Sequence, residues 1–168
     1  QHGFLAAHEW ADSLQVLTYG ASPSPATTPA VEVQATLGDR ITLVGYDLPA
    51  TTWGAGDIMP LTLFWQRVGP ASEDYRVFVH LLDGSGQLVA QTDSAPGGGS
   101  RPTSTWPDGE LVVDRHGLSL PGDLGAGQYT LHVGMYLPAT GERLPARDAA
   151  GQPAGDTISL GVITVAPR

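Results

Sequence analysis

From Val31 to Val165 the chain runs as short segments in which apolar and polar residues alternate, cut at nearly regular intervals by Gly, Pro and Asp. Arg40-Ile-Thr-Leu-Val-Gly-Tyr46, Leu61-Thr-Leu-Phe-Trp65, Tyr75-Arg-Val-Phe-Val-His-Leu-Leu82 and Tyr129-Thr-Leu-His-Val-Gly-Met-Tyr136 carry the pattern most clearly. Successive side chains of a strand point to opposite faces, so period-2 alternation marks a strand with one face in a core and the other outside. Many such segments at this spacing predict an all-β sandwich.

The segments are read as strands over 31–37, 40–48, 58–68, 74–83, 87–93, 110–120, 128–137 and 157–165. Asp83-Gly-Ser-Gly86 and Pro138-Ala-Thr-Gly141 are turn sequences, because Gly adopts positive φ without penalty. Ser94 to Pro107 is too long and too rich in Gly and Pro for a hairpin, and is expected to cross between sheets, as a Greek-key sandwich requires. Before the domain, Gln1 to about Gly20 is read as a short helix around Leu5, Ala6, Trp10, Leu14 and Leu17. Ala21 to Pro29 is a Pro/Ser/Thr linker. The division is therefore 1–30 for the leading segment and linker, and 31–168 for the sandwich.

Composition removes several function classes. The chain of 168 residues has a net charge of −9, and all its cationic side chains except histidine are Arg. Phosphate backbones and anionic headgroups repel such a chain, so neither nucleic acid nor a membrane surface is an expected partner. No apolar run approaches the roughly 20 residues that span a bilayer, so no direct insertion is expected. Cysteine is absent, which excludes disulfides, thiolate catalysis and thiolate metal sites. The first eight residues lack the basic start and apolar centre of a signal peptide, and the opening at Gln1 is expected of a piece of a longer protein.

Gly127-Gln-Tyr129-Thr-Leu131 follows a Pro/Gly turn and opens a strong strand. It resembles the tyrosine corner of immunoglobulin-like and fibronectin-like sandwiches, whose Tyr hydroxyl bonds back to nearby backbone. Leu131 stands where antibody domains carry a disulfide cysteine. The resemblance implies an Ig/fibronectin-like Greek-key sandwich of about seven to nine strands. A second resemblance rests on the order of several phrases. They are Gly38-Asp-Arg-Ile-Thr-Leu-Val-Gly-Tyr-Asp-Leu48, Pro60-Leu-Thr-Leu-Phe-Trp-Gln66, Tyr75 to Asp83, Pro102-Thr-Ser-Thr-Trp-Pro-Asp-Gly-Glu110, Gly127 to Tyr136 and Thr140-Gly-Glu-Arg-Leu-Pro145. Together they resemble the soluble C-terminal domains of bacterial mannosyltransferase-like, multi-spanning membrane proteins of the glycosyltransferase type. That resemblance implies an extracytoplasmic place in the cell envelope, tethered through a preceding membrane portion. The family's catalytic acids belong to that portion, and none carries over to this chain.

Candidate chemistry follows from the alternation. Val77, Val79 and Leu81 share one face of their strand, with Arg76, Phe78, His80 and Leu82 opposite. Leu131, Val133 and Met135 share one face of another, with Thr130, His132 and Tyr136 opposite. The two strands take the third and sixth places of the Ig-like order and pair in one sheet, so Phe78, His80, His132 and Tyr136 are expected together on its outer face. Aromatic rings with polar tips stack on sugar rings and bond their hydroxyls. The competing expectation is that the leading segment, the Ser94–Pro107 crossover or a partner domain covers this face. Trp53 and Trp106, both read as loop residues, are further candidate ligand contacts; Trp106, beside Pro107, also reads as a plug closing one end of the sandwich. Two nearby imidazoles resist double protonation, so a ligand held there is expected to weaken below about pH 6.

Other chemistry finds little support. His80 and His132 lack a defined third metal ligand, His116 and Glu110 being candidates by composition alone. Most acidic residues, Asp83, Asp108, Asp114 and Asp148 among them, are read as turn caps beside Gly or Pro, leaving no carboxylate pair for glycoside hydrolysis. Ser, His and Asp occur without a triad arrangement, and no Gly-x-Ser-x-Gly, His-Glu-x-x-His or phosphate loop is present. Asp83-Gly-Ser-Gly86 offers one carboxylate, too few to specify calcium. No catalytic residue, cofactor or metal is expected. The leading reading is a non-catalytic extracytoplasmic accessory domain that presents or binds glycan, its partners being a glycan or the membrane portion of the same polypeptide. A stand-alone carbohydrate-binding module and a structural spacer remain open beside it.

Overall fold

In the computed structural model, which describes residues 3–11, 14–21, 28–70 and 72–167, alternation becomes strand almost wherever it occurs. In chain order the strands are β1 (Gly3–Ala11), β2 (Leu14–Ala21), β3 (Val31–Leu37), β4 (Ile41–Asp47), β5 (Thr52–Trp53) and β6 (Ile58–Arg67). They continue with β7 (Arg76–Leu82), β8 (Leu88–Ser94), β9 (Leu111–Ser119), β10 (Gly127–Tyr136), β11 (Ala146–Arg147) and β12 (Ile158–Val165). One five-stranded sheet has the order β5-β12-β10-β7-β8 and the other β11-β3-β4-β6-β9, while β1 and β2 form a separate antiparallel pair.

The leading segment corrects the sequence reading: it is a β-hairpin, not a helix. Its apolar residues do not repeat cleanly at 3.6, and Val16, Thr18 and Tyr19 are strand formers. β1 runs beside β9. Ala21 closes β2, and most of the expected linker, 22–27, lies outside the described residues.

Between the sheets lie Val77, Val79 and Leu81 from β7, Leu131, Val133 and Met135 from β10, and Leu61, Leu63 and Trp65 from β6, all buried in one cluster. These are the inward sets that alternation assigns. The crossover after β8 carries the chain from one sheet to the other as expected, through two short 3-10 turns. Leaving aside β3, β5 and β11, β4, β6 and β9 take the A, B and E places of an Ig-like domain. In the facing sheet β7, β8, β10 and β12 take C, C′, F and G. The tyrosine corner is present: the Tyr129 hydroxyl donates to the Gly125 carbonyl at 2.8 Å.

Two elements close the ends and edges. Trp106 is only 1 % exposed and packs into the core cluster. Its indole N–H donates to the Arg101 carbonyl, and its own carbonyl accepts from Arg67. At the β8–β9 edge, Asp114 and His116 point inward in step with Val112 and Leu118, as β9 alternation dictates.

Candidate ligand-binding site

Strand register sets the candidate face. In the antiparallel β7–β10 pair, His80 lies opposite His132, Phe78 opposite Gly134 and Arg76 opposite Tyr136. None of these side chains belongs to the inter-sheet core. β8 places Asp93 opposite Phe78 and Gln91 opposite His80, and β12 places Ser159 opposite His132. Four of the six candidate contacts, Phe78, His80, His132 and Tyr136, therefore meet on one outer face.

They are not equally available. Phe78 is 1 % exposed, because its ring lies over Gly134 and under a guanidinium. A Cβ on Gly134 would stand 2.3 Å from the Phe78 ring, so only glycine admits this close approach. Above the ring, the Arg143 guanidinium carbon sits 4.4 Å from the centroid, a cation–π contact, and Arg143 bonds Asp156 at 3.3 Å. The Phe78 ring is thus capped by Arg143, from the segment between β10 and β12. His80 stacks tilted against Phe78 with ring centres 4.6 Å apart, and Tyr136 lies 6.4 Å from Phe78. His80, His132 and Tyr136 are half-buried.

The electrostatics follow from this setting. Burial lowers the proton affinity of His80, and the Arg143 and His132 charges lower it further, with Asp93 and Asp156 opposing. Burial also lowers that of His132, whose Nδ1 pairs with the Thr157 hydroxyl at 3.2 Å. Burial raises the pKa of the Tyr136 hydroxyl, the neighbouring Asp93 carboxylate raises it further, and Arg76 opposes. Near neutral pH the face therefore carries neutral imidazoles, with donors and acceptors set among Arg76, Asp93 and Gln91.

The two tryptophans do not join this face. Trp53 is a strand residue, not a loop residue: it lies in β5, parallel to the far end of β12, and its indole donates to the Ala50 carbonyl. Trp106 is the plug described above, with no ring face left for a ligand. His116 and Glu110 do not converge on the His80–His132 pair either. His116 is between the sheets, and Glu110 is ion-paired to Arg101 at 2.8 Å. Among the described residues no group of three His, Asp or Glu is arranged to hold a metal ion.

One arrangement escapes the sequence reading. Ser94 Oγ lies 3.4 Å from His116 Nδ1, and His116 Nε2 lies 2.7 Å from Asp114 Oδ2. Asp114 is not a turn cap: it also accepts from the Trp65 indole and the Gly97 amide. The signal was available in Val112-x-Asp114-x-His116-x-Leu118, whose alternation sends both polar residues inward. His116 and Asp114 are shut off from solvent, their side chains 1 % and 0 % exposed. They tie the crossover turn to β9 across an open edge of the sandwich. Asp83 and Asp148 do cap turns, each taking two backbone amides on one carboxylate oxygen.

A cleft of about 330 Å³ adjoins the face at His132, between the uncovered ends of β3 and β12.

No family model matches the chain, and no curated protein matches it. Among solved structures it is similar to the C-terminal domain of wzt, with 17% sequence identity, a TM-score of 0.53 and 84% of each chain covered. The likeness is one of fold. The putative ApaA protein from Bordetella pertussis aligns over 82% of this chain and 97% of its own at 13% identity, with a TM-score of 0.30.

Proposed function

We propose that this chain is a non-catalytic, extracytoplasmic accessory domain of a glycosyltransferase-like membrane protein, and that it binds glycan on the outer face of the β8–β7–β10–β12 sheet. The observation that carries this reading is the register pair His80–His132, flanked by Tyr136, on a face with half-exposed donors and acceptors. Sugar recognition needs such convergent polar groups beside an apolar surface. Link to a membrane-borne glycosyltransferase rests on the order of the phrases from Gly38 to Pro145. The sandwich fold, shared with the wzt C-terminal domain, is compatible with it. A non-catalytic role fits the burial of Asp114 and His116 and the use of Asp83 and Asp148 in turns.

The test is a glycan-array screen of the folded chain followed by calorimetric titration of the hits against wild type, Tyr136→Ala and His80→Ala. A saturable hit weakened at least about tenfold by either substitution, about 1.4 kcal/mol, is the expected result. Hits that ignore both substitutions would move the site elsewhere, and no hit on a broad array would favour the spacer reading, for which the Arg143 cap over Phe78 is the supporting observation.

A further inference from the structure

The cleft beside His132 exists because two sheet edges are left bare at the same level. β5 covers β12 only at Thr164 and Val165, and β11 covers β3 only at Thr36 and Leu37. The Ile158–Ser159 end of β12 and the Val31–Ala35 part of β3 therefore lack an outer neighbour, and the seam between the sheets opens there. A small hairpin roofs it: Arg147 bridges to Pro153, and Ala146 exchanges hydrogen bonds with Ala154 and Gly155. The roof is held firmly. Asp148 accepts the Ala150 and Gln152 amides, and Arg147 bonds both Asp39 and the Gly151 carbonyl.

Two β-bulges flank this same opening. The β3–β4 register slips between Glu32 and Ala35, and Gln34 sits at φ 56, an uncommon region for a residue other than glycine. The β10–β12 register slips between Leu131 and His132, leaving Leu160 without a cross-strand partner; its carbonyl is taken by the Tyr46 hydroxyl from the other sheet. Bulges re-aim side chains and end regular pairing, and strained residues gather at ligand clamps. They also break the even row of edge groups that an added peptide strand would need, which favours a small ligand over strand addition.

The lining defines the ligand. Val33, Ala35 and Ile158 form an apolar floor, with Ala149 and Ala154 on the roof side. His132, Thr157 and Ser159 supply polar groups, and Arg147 and Asp148, already engaged within the roof, complete the lining. A volume near 330 Å³ is at the small end of ligand pockets, which run from about 300 to 1,000 Å³. We propose that this cleft seats one methyl-bearing sugar residue, a 6-deoxy or N-acetyl sugar, with its methyl on Val33, Ala35 and Ile158 and its hydroxyls toward His132, Thr157 and Ser159. The inference rests on the glycan reading of the adjoining face and adds the kind of sugar selected. Another cavity of similar size, at Arg40, Tyr75 and Glu142, shares no residue with that face.

The test titrates the 168-residue chain with four methyl glycosides, those of rhamnose, N-acetylglucosamine, mannose and glucose, followed by amide chemical shifts. Rhamnoside or N-acetylglucosaminide is expected to bind about five- to tenfold tighter than the two sugars without the extra methyl, the selectivity one buried methyl group supplies. The two arms separate a ring methyl from an acetamido methyl. Ala149→Trp and Ala154→Trp, each at an exposed roof position, are expected to fill the cleft and abolish that preference, while unsubstituted sugars still shift Tyr136 and His80. Equal binding of all four glycosides, or a preference that survives both substitutions, would overturn the inference and leave the glycan reading of the face intact. Binding by none of the four in the range of millimolar to tens of millimolar would overturn the inference too, and a blank glycan array beside it would remove the glycan reading.

Discussion

His80 and His132 stand directly opposite one another across the antiparallel pair β7–β10, on the face turned away from the inter-sheet core. Both rings have their proton affinity lowered by burial, and His80 also feels the positive charges of Arg143 and His132.

The sign of the pH effect follows. A histidine whose folded-state pKa lies below its unfolded value of about 6.5 binds fewer protons folded than unfolded in the window between them. Unfolding then takes up protons, so the stability from these two rings is complete above about pH 6.5 and is lost as the pH falls through that window. The thermal midpoint is expected to drop on acidification through this range, and the double variant His80→Gln/His132→Gln to flatten the drop. Imidazole NMR titration of Arg143→Gln should show the His80 midpoint raised and that of His132 little moved. An unchanged His80 midpoint would contradict the assigned field.

Leu131 is 1 % exposed at the centre of the core cluster. Leu131→Ala is expected to cost about 2–5 kcal/mol, the transfer and cavity cost of a buried leucine. Urea unfolding measures it, and a loss below about half a kcal/mol would contradict the inward assignment of β10, given the range for buried leucines.

Tyr129→Phe removes one hydrogen bond, to the Gly125 carbonyl, while keeping the ring. The expected loss is about 0.5–1.5 kcal/mol, the net contribution of a single such bond. A change within error would show that the corner contributes packing alone.

Asp114→Ala leaves the Trp65 indole and the Gly97 amide without their acceptor and removes the partner of His116. Breaking a buried network of this kind is expected to cost ~3 kcal/mol or more. Hydrogen exchange at the Gly97 amide should accelerate beyond the global change, because the crossover turn loses its tie to β9.

The sandwich was legible because its information is local. Alternation in 76–82 and 129–135 assigns faces residue by residue, and the Tyr129 phrase indicates the order in which strands pair. His80 and His132 could be matched across strands on those grounds alone. What covers Phe78 could not, since Arg143 reaches it from a connection 65 residues further along the chain, and nothing in the Phe78 segment encodes that arrival. The cleft was hidden for a different reason. It depends on bulges at Gln34 and Leu160, each a one-residue slip that period-2 patterning cannot express. The inward Asp114–His116 pair was readable from the alternation of β9, and was obscured because its carboxylate looks like one more turn cap. In the leading segment, the spacing of a few apolar residues suggested a helix where strand formers make a hairpin.

The most direct measurement of the central claim is an amide chemical-shift map of the chain titrated with the strongest glycan from an array. Shifts concentrated on Gln91, Asp93, His80, His132 and Tyr136, saturating together and weakening as the pH falls below the ordinary imidazole range of about 6.5, are the predicted result. Shifts confined to the β11-β3-β4-β6-β9 sheet, or a face around His80 and His132 that stays unmoved at saturation, would contradict it.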